Sequence, residues 1–175
     1  MSTDPGDELV DVIGSDGRTI ATVPRREMRK KRLRHRCTYI LVFDHAGRLF
    51  VHQRTATKDV YPSHWDVTVG GVLAAGESFE AGAVRELREE LGIAAELERL
   101  FPFQYADNAS IAGAMVYRVC HDGPFRLQPE EIVHGRFVER SELPSLLSER
   151  PFCPDGVAVW MEYQRRYPGS SQEVE

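Results

Sequence analysis

Residues 71–93 read GVLAAGESFEAGAVRELREELGI, and this stretch decides the fold. From Ser78 to Leu91, the residues Phe79, Ala83, Val84, Leu87 and Leu91 recur at i, i+3 or i+4, the spacing of one apolar helix face. Gly92 then stops the helix in the manner of a C-terminal glycine. Glu86, Glu89 and Glu90 stand at i, i+3 and i+4, which places three carboxylates on one face. A Glu/Arg-rich helix is ordinarily a solvated face, and three close anions repel. A hard divalent cation reverses that penalty, because magnesium prefers oxygen ligands including a few carboxylates. Arg85 can hold one of these carboxylates through a bidentate contact. Gly70 and Gly71 carry no Cβ, so a carbonyl or a substrate phosphate can approach closely. Glu77 is expected to cap the helix or to steady Arg85.

Upstream, LVDVIG–SDG–RTIATVP predicts a β-hairpin around a Ser-Asp-Gly turn. The basic stretch RREMRKKRLRHR at 25–36 predicts a short helix over Arg25 to Leu33. Its plain reading is a solvated face, with attraction of phosphorylated substrates or a subunit contact as the others. Cys37 to Phe43 and Leu49 to Gln53 read as neighbouring antiparallel strands. A loop holding Tyr61, Pro62 and Trp65 leads to a short strand at Val67 to Val69. Strands are expected again near Leu97 to Tyr105, Ala112 to Val119 and Ile132 to Val138. Two helices close the chain, one capped by Ser141 and one from about Asp155 to Tyr167. This order without strict βαβ alternation predicts an α/β protein of the α+β type, a mixed sheet with helices on both faces. The expected organisation is an N-terminal extension of hairpin and basic helix at 1–34, a main domain at 35–168, and a disordered tail at 169–175.

The chain has 175 residues, 42% hydrophobic and 28% charged, which fits one soluble globular domain. No apolar run reaches the ~18 to 20 residues of a membrane helix, and the acidic N-terminus lacks the pattern of a secretory signal. A cytoplasmic location is the expectation. Cys37, Cys120 and Cys153 lie in no metal-ligand spacing and are expected to be reduced, half-buried packing residues. A net charge of −5 argues against nucleic-acid binding through phosphate contacts.

The stretch matches G-x5-E-x7-R-E-U-x-E-E-x-G-U, with U a bulky aliphatic residue, at Gly71, Glu77, Arg85, Glu86, Leu87, Glu89, Glu90, Gly92 and Ile93. In this the chain resembles the Nudix hydrolases, and the resemblance covers nearly its whole length. It implies an α/β/α sandwich and a magnesium-dependent hydrolysis of a phosphoanhydride in a nucleoside diphosphate derivative or similar compound, with manganese a substitute. Carried over, Glu86, Glu89 and Glu90 would hold the metal, with the Gly70 carbonyl a further ligand. The general base would be Glu86 or Glu131. Arg54, Gly71, Trp65 and Tyr105 are expected around the substrate, with His52 and Tyr61 near them.

The N-terminal hairpin, the segment ending in LRHR, HAGRLFVHQR and the loop reaching Trp65 resemble the isopentenyl-diphosphate isomerase branch of that family. The isomerase needs a cysteine where this chain has Gly70, and histidines where it has Val72 and a residue near Met28. Of those histidines only His35 remains, so isomerase activity is the rival reading and not the leading one. A ligand-sensing module without catalysis is another, set against the complete glutamate set. The hairpin edge is expected to offer a route to a homodimer.

Overall fold

The computed structural model describes residues 4–168, so the tail expected at 169–175 lies outside the described residues. The chain builds β1 (Leu9–Ile13), β2 (Thr19–Pro24), α1 (Arg25–Lys30), β3 (Arg34–Phe43), β4 (Leu49–Arg54) and β5 (Trp65–Asp66). Next comes α2 (Phe79–Glu86), which runs on into a π-helical turn at Leu87–Leu91. β6 (Glu98–Ala106), β7 (Ile111–Cys120), β8 (Ile132–Val138), α3 (Leu143–Glu149) and α4 (Pro154–Arg166) complete it.

β3 is the axis of a mixed, eight-stranded sheet. It lies parallel to β7 from Arg34↔Ile111 to Phe43↔Cys120, and β6 pairs antiparallel on the far side of β7. β4 carries β8 and β5, both antiparallel. The apolar run CTYILVF is what a strand covered on both faces requires. Its side chains alternate between two cores. Cys37, Tyr39, Leu41 and Phe43 join Val159, Trp160 and Tyr163 of α4. Ile40 and Val42 join Ala83 and Leu87 of the signature helix, with Leu91. Helices therefore cover opposite faces of the sheet, the expected α/β/α arrangement. Ile40 has no exposed surface, and Ile40→Val is expected to cost about 1 kcal/mol. Urea unfolding should show a lower midpoint at unchanged slope.

The hairpin forms as expected and also holds the signature loop. Ala75 N–H donates to the Leu9 carbonyl (2.8 Å) and Gly76 N–H to Asp11 Oδ2 (2.9 Å). Val10 of β1, Met28 of α1 and Val72 form a small buried cluster beneath it.

Several local expectations need correction. α1 stops at Lys30 because Arg32 takes a left-handed φ of 49°. β3 and β4 share only the pair Phe43↔Leu49, since the rest of that edge of β3 is bonded to the chain at 69–73 and to β1. The strand expected at Val67 to Val69 is split between partners. Trp65 and Asp66 pair with β4, Asp66 Oδ1 turns the chain by accepting from Thr68 N–H, and Val69 bridges to Ile40. α3 begins at Leu143, because the preceding turn closes between Glu139 and Glu142 instead of on Ser141. Val84 is 40% exposed and leaves the apolar face of its helix. Cys120 is exposed, whereas Cys37 and Cys153 are buried.

Candidate active site

The signature region is organised around Arg85. Its Nε and Nη2 donate to Glu77 Oε1 and Oε2 at 2.9 and 3.0 Å, a bidentate pair. Nη1 donates to Glu86 Oε1 (2.8 Å) and Glu89 Oε2 (3.0 Å), and Nη2 also reaches the Val72 carbonyl (3.3 Å). The Glu77 hydrogen bonds and the neighbouring carboxylates raise the Arg85 pKa further. Glu77 is itself fixed, accepting from Ala74 N–H at 3.0 Å, while its carbonyl accepts from Arg36 Nη2 at 2.7 Å. Ser78, not Glu77, supplies the cap, accepting from Ala81 N–H at 3.1 Å. A planar guanidinium with five donors suits this task and a lysine does not.

The π-helical turn changes the phase of the three glutamates. Such turns add one residue to a helical turn and are frequent at functional sites. Glu86 and Glu90 are buried, at 8% and 7% exposure. Glu89 is exposed and lies on Arg85, so the simple one-face arrangement does not hold. Burial raises the Glu86 pKa, and burial together with the Glu86 charge raises that of Glu90 well above the ordinary carboxylate range. Among the described residues no donor reaches the Glu90 carboxylate within hydrogen-bond distance. Nor do three acid, imidazole or thiol groups among them converge as metal ligands, since Arg85 draws Glu86 and Glu89 to itself. Two buried carboxylates with one guanidinium beside them still make a hard-oxygen site that a divalent cation would balance.

The two glycines explain how the backbone meets this helix. A Cβ at Gly71 would lie 2.8 Å from Glu86 Oε1, so a side chain there would push that carboxylate from its place. Gly70 has φ of 134°, and a Cβ there would lie 2.3 Å from the Thr38 carbonyl oxygen. Gly70 therefore admits no side chain, whereas one at Gly71 would displace Glu86.

Beside the glycines opens a cleft of about 70 Å³ lined by Gly70, Gly71 and Arg54, with Arg25, Arg29 and Lys58. The basic helix thus turns part of its charge toward the site. Arg29 pairs with Asp59 at 3.1 Å, and Arg54 donates to the Val60 carbonyl at 3.1 Å. Glu131 pairs with Lys58, and its charge adds to those raising the Glu90 pKa, which puts it near the signature carboxylates. The segment before β8 is fastened to the helix end by Gln128 N–H donating to the Glu90 carbonyl at 3.0 Å.

Of the other expected residues, Tyr61 and His35 line the cleft and Trp65, Tyr105 and His52 do not. Trp65 is buried in the α4 core, its ring against Phe152 and His134 with the Arg150 guanidinium at 5.1 Å. Tyr105 donates to Asp107 Oδ2 at 3.1 Å, sharing that carboxylate with Tyr61, which does line the cleft. His52 is buried and stacked on Phe50, with burial lowering its pKa to about 3. His35 lines the cleft, but burial lowers its pKa to about 4 and its Nδ1 lies 3.0 Å from the Leu33 carbonyl. The sequence reading missed Arg29, Lys58, Asp66 and Asp155, all in the cleft lining. The basic run signalled the first; the acids are brought in only by the tertiary fold.

Comparison with known proteins agrees with this geometry. A family model described as NUDIX domain matches residues 33–156. A Streptomyces coelicolor protein described as an uncharacterized Nudix hydrolase is 39% identical over 168 residues, covering 94% of this chain and 92% of the relative. A Pseudomonas aeruginosa protein with the same description is 38% identical over 157 residues, covering 89% and 93%. In fold, the chain is similar to the crystal structure of DR0079 from Deinococcus radiodurans, with a TM-score of 0.77 at 23% identity, covering 91% of this chain and 98% of that one.

Proposed function

Because the chain belongs to the Nudix hydrolase family, we propose that it hydrolyses a phosphoanhydride bond in a small diphosphate compound, such as a nucleoside diphosphate derivative, with magnesium. The observation that carries this reading is the pair of buried carboxylates, Glu86 and Glu90, the first of them set against Gly71, which lines a cationic cleft. Glu86 and Glu90 would hold the metal, with Glu89 and the Gly70 carbonyl as further ligands. Magnesium, or manganese in its place, would neutralise the diphosphate and make a bound water more acidic.

The chain's own residues do the rest. Arg85 fixes Glu86 and Glu89 while Glu77 fixes Arg85. Arg54 grips phosphate, and the glycines let it approach the backbone. Glu131 or Glu86 takes the proton of the attacking water; each is already held by a cation, Glu131 by Lys58 and Glu86 by Arg85 at 2.8 Å. Charge develops on the phosphoryl oxygens, so positioning and electrostatics supply most of the rate.

The reading keeps the chain near the isopentenyl-diphosphate isomerase branch but without its reaction. At the position of the isomerase cysteine, a Cβ would collide with the Thr38 carbonyl oxygen at 2.3 Å. At the position of one isomerase histidine and near that of another, Val72 and Met28 pack with Val10 in an apolar cluster. The proposal further takes a small-molecule partner with neither nucleic acid nor membrane, a cytoplasmic location, and a homodimer through the β2 edge, where Ile20 is 68% exposed. Among residues 4–168 no helix is long and apolar enough to cross a membrane.

The test is a hydrolysis screen over nucleoside diphosphate derivatives, nucleotides and isoprenoid diphosphates with magnesium or manganese. Metal-dependent release of phosphate or a monophosphate from some member is the expected result. No turnover of any member by metal-loaded, folded protein would sink the hydrolase reading. Isomerised isoprenoid diphosphate would reverse the exclusion drawn from Gly70.

A further inference from the structure

Behind the cationic rim of the cleft lies a floor of opposite character that hydrolysis itself does not use. Asp66 ends β5 and Asp155 stands in the first turn of α4. Trp65 N–H donates to the Pro151 carbonyl (2.8 Å) and Cys153 N–H to the Trp65 carbonyl (2.7 Å), which fastens the two elements side by side. Burial, and for Asp66 the charge of Asp155, raises both carboxyl pKa values, that of Asp66 to about 6.

These carboxylates are only partly satisfied. Asp66 Oδ1 accepts from Thr68 N–H and Oγ1 at 3.0 and 2.9 Å and the carboxylate also takes the Cys153 thiol, while the Arg54 Nη1 stands 3.9 Å from Oδ2, beyond hydrogen-bond distance. Asp155 accepts from the Tyr39 hydroxyl at 2.9 Å and from Gly156 N–H at 2.9 Å. A carboxylate offers about four acceptor positions, so both retain capacity for donors. A second, independent feature points the same way. Thr38 lines the same cleft at 1% exposure, and its Oγ1 has no hydrogen-bond partner. Buried polar atoms left unpaired are costly and uncommon.

Size and charge narrow what would complete this floor. The cleft's 70 Å³ has room for on the order of a few waters, so it encloses one end of a substrate and not the whole. Its lining holds four cations (Arg25, Arg29, Arg54, Lys58) against three carboxylates (Asp59, Asp66, Asp155), which disfavours a cationic group. An apolar chain would leave the acceptors unpaired and desolvated, at a cost that discriminates strongly.

We propose that Asp66, Asp155 and Thr38 form a head-group subsite that takes the hydroxyls of a sugar- or polyol-bearing diphosphate and rejects an isoprenoid chain. The inference rests on the diphosphate reading above and deepens it. It assigns specificity to residues outside the signature, with the diphosphate across the rim and the hydroxyls on the acidic floor.

The test uses binding of uncleavable compounds, so that it stands apart from turnover. Calorimetry with magnesium would compare α,β-methylene adenosine diphosphate, its 2′,3′-dideoxy counterpart and the methylene analogue of isopentenyl diphosphate. The hydroxylated compound is expected to bind about tenfold or more tightly than the dideoxy one, about 1.4 kcal/mol per tenfold. In Thr38→Val and in Asp155→Asn that ratio should fall below about threefold. Thr38→Val keeps the side-chain shape, so it carries the test if Asp155→Asn melts early. A ratio near one in the wild type, an unchanged ratio in both variants, or tightest binding of the isopentenyl compound overturns the subsite. Selective binding without turnover of any screened compound would instead retain the subsite and remove the hydrolase reading.

Discussion

Glu90→Gln is expected to lower kcat by about 10³-fold or more while the protein stays folded. The substitution preserves shape and removes one charge from a carboxylate that is 7% exposed. If Glu90 only packed against its neighbours, the amide would serve as well and activity would survive. The stability readout has a definite sign. The folded-state pKa of Glu90 lies above the ordinary value, through burial and then the Glu86 charge. Between the unfolded and folded values, the native state therefore holds a proton that the unfolded chain has released, and stability falls as pH rises through that window. In chelator, the Gln variant should melt as high as the wild type or higher at pH 8, and the advantage should shrink as pH falls toward the unfolded value. Kinetics and thermal melts on the same two preparations check both halves. Retained turnover at wild-type rate would end the metal-ligand assignment. Lost turnover with a collapsed melt at every pH would make Glu90 a structural residue.

Much of this arrangement is legible because it is local. The apolar run of β3, the Ser-Asp-Gly hairpin and the spacing from Phe79 to Leu91 each predict their element from neighbouring residues alone. The signature also predicts a contact between Arg85 and the glutamates, and Arg85 does gather Glu77, Glu86 and Glu89. What was not legible depends on partners distant in sequence. β3 meets β4 only at its end because the edge away from β7 is taken by the chain at 69–73 and by β1. Trp65 went to the core since the chain at 151–153 pairs beside it. Asp66 and Asp155 meet only because that pairing carries the start of α4 to β5. The π-helical turn defeats a reading at 3.6 residues per turn, which is why Glu89 was placed with Glu90 and instead points to solvent and Arg85.

Arg85→Lys is expected to cost about 2 to 4 kcal/mol in stability and about 10²-fold in kcat, although the charge is unchanged. The guanidinium spends its donors on Glu77 twice, on Glu86, on Glu89 and on the Val72 carbonyl. An ammonium on a flexible stem has three donors and no planar fork, so it cannot meet both Glu77 oxygens and still reach Glu86. Glu77 would be left partly unpaired at 15% side-chain exposure, which is where the stability loss arises. Glu86 would lose the contact that sets its oxygen against Gly71, which is where the rate loss arises. The two losses separate on adding metal. A cation that binds the folded carboxylates stabilises by mass action, so excess magnesium should recover part of the melting temperature without restoring kcat. Full recovery of both would mean that Arg85 merely balances charge. A lysine variant as stable and as active as the wild type would mean that the fork geometry is immaterial, and the organising role of Arg85 would have to pass to Glu77 alone.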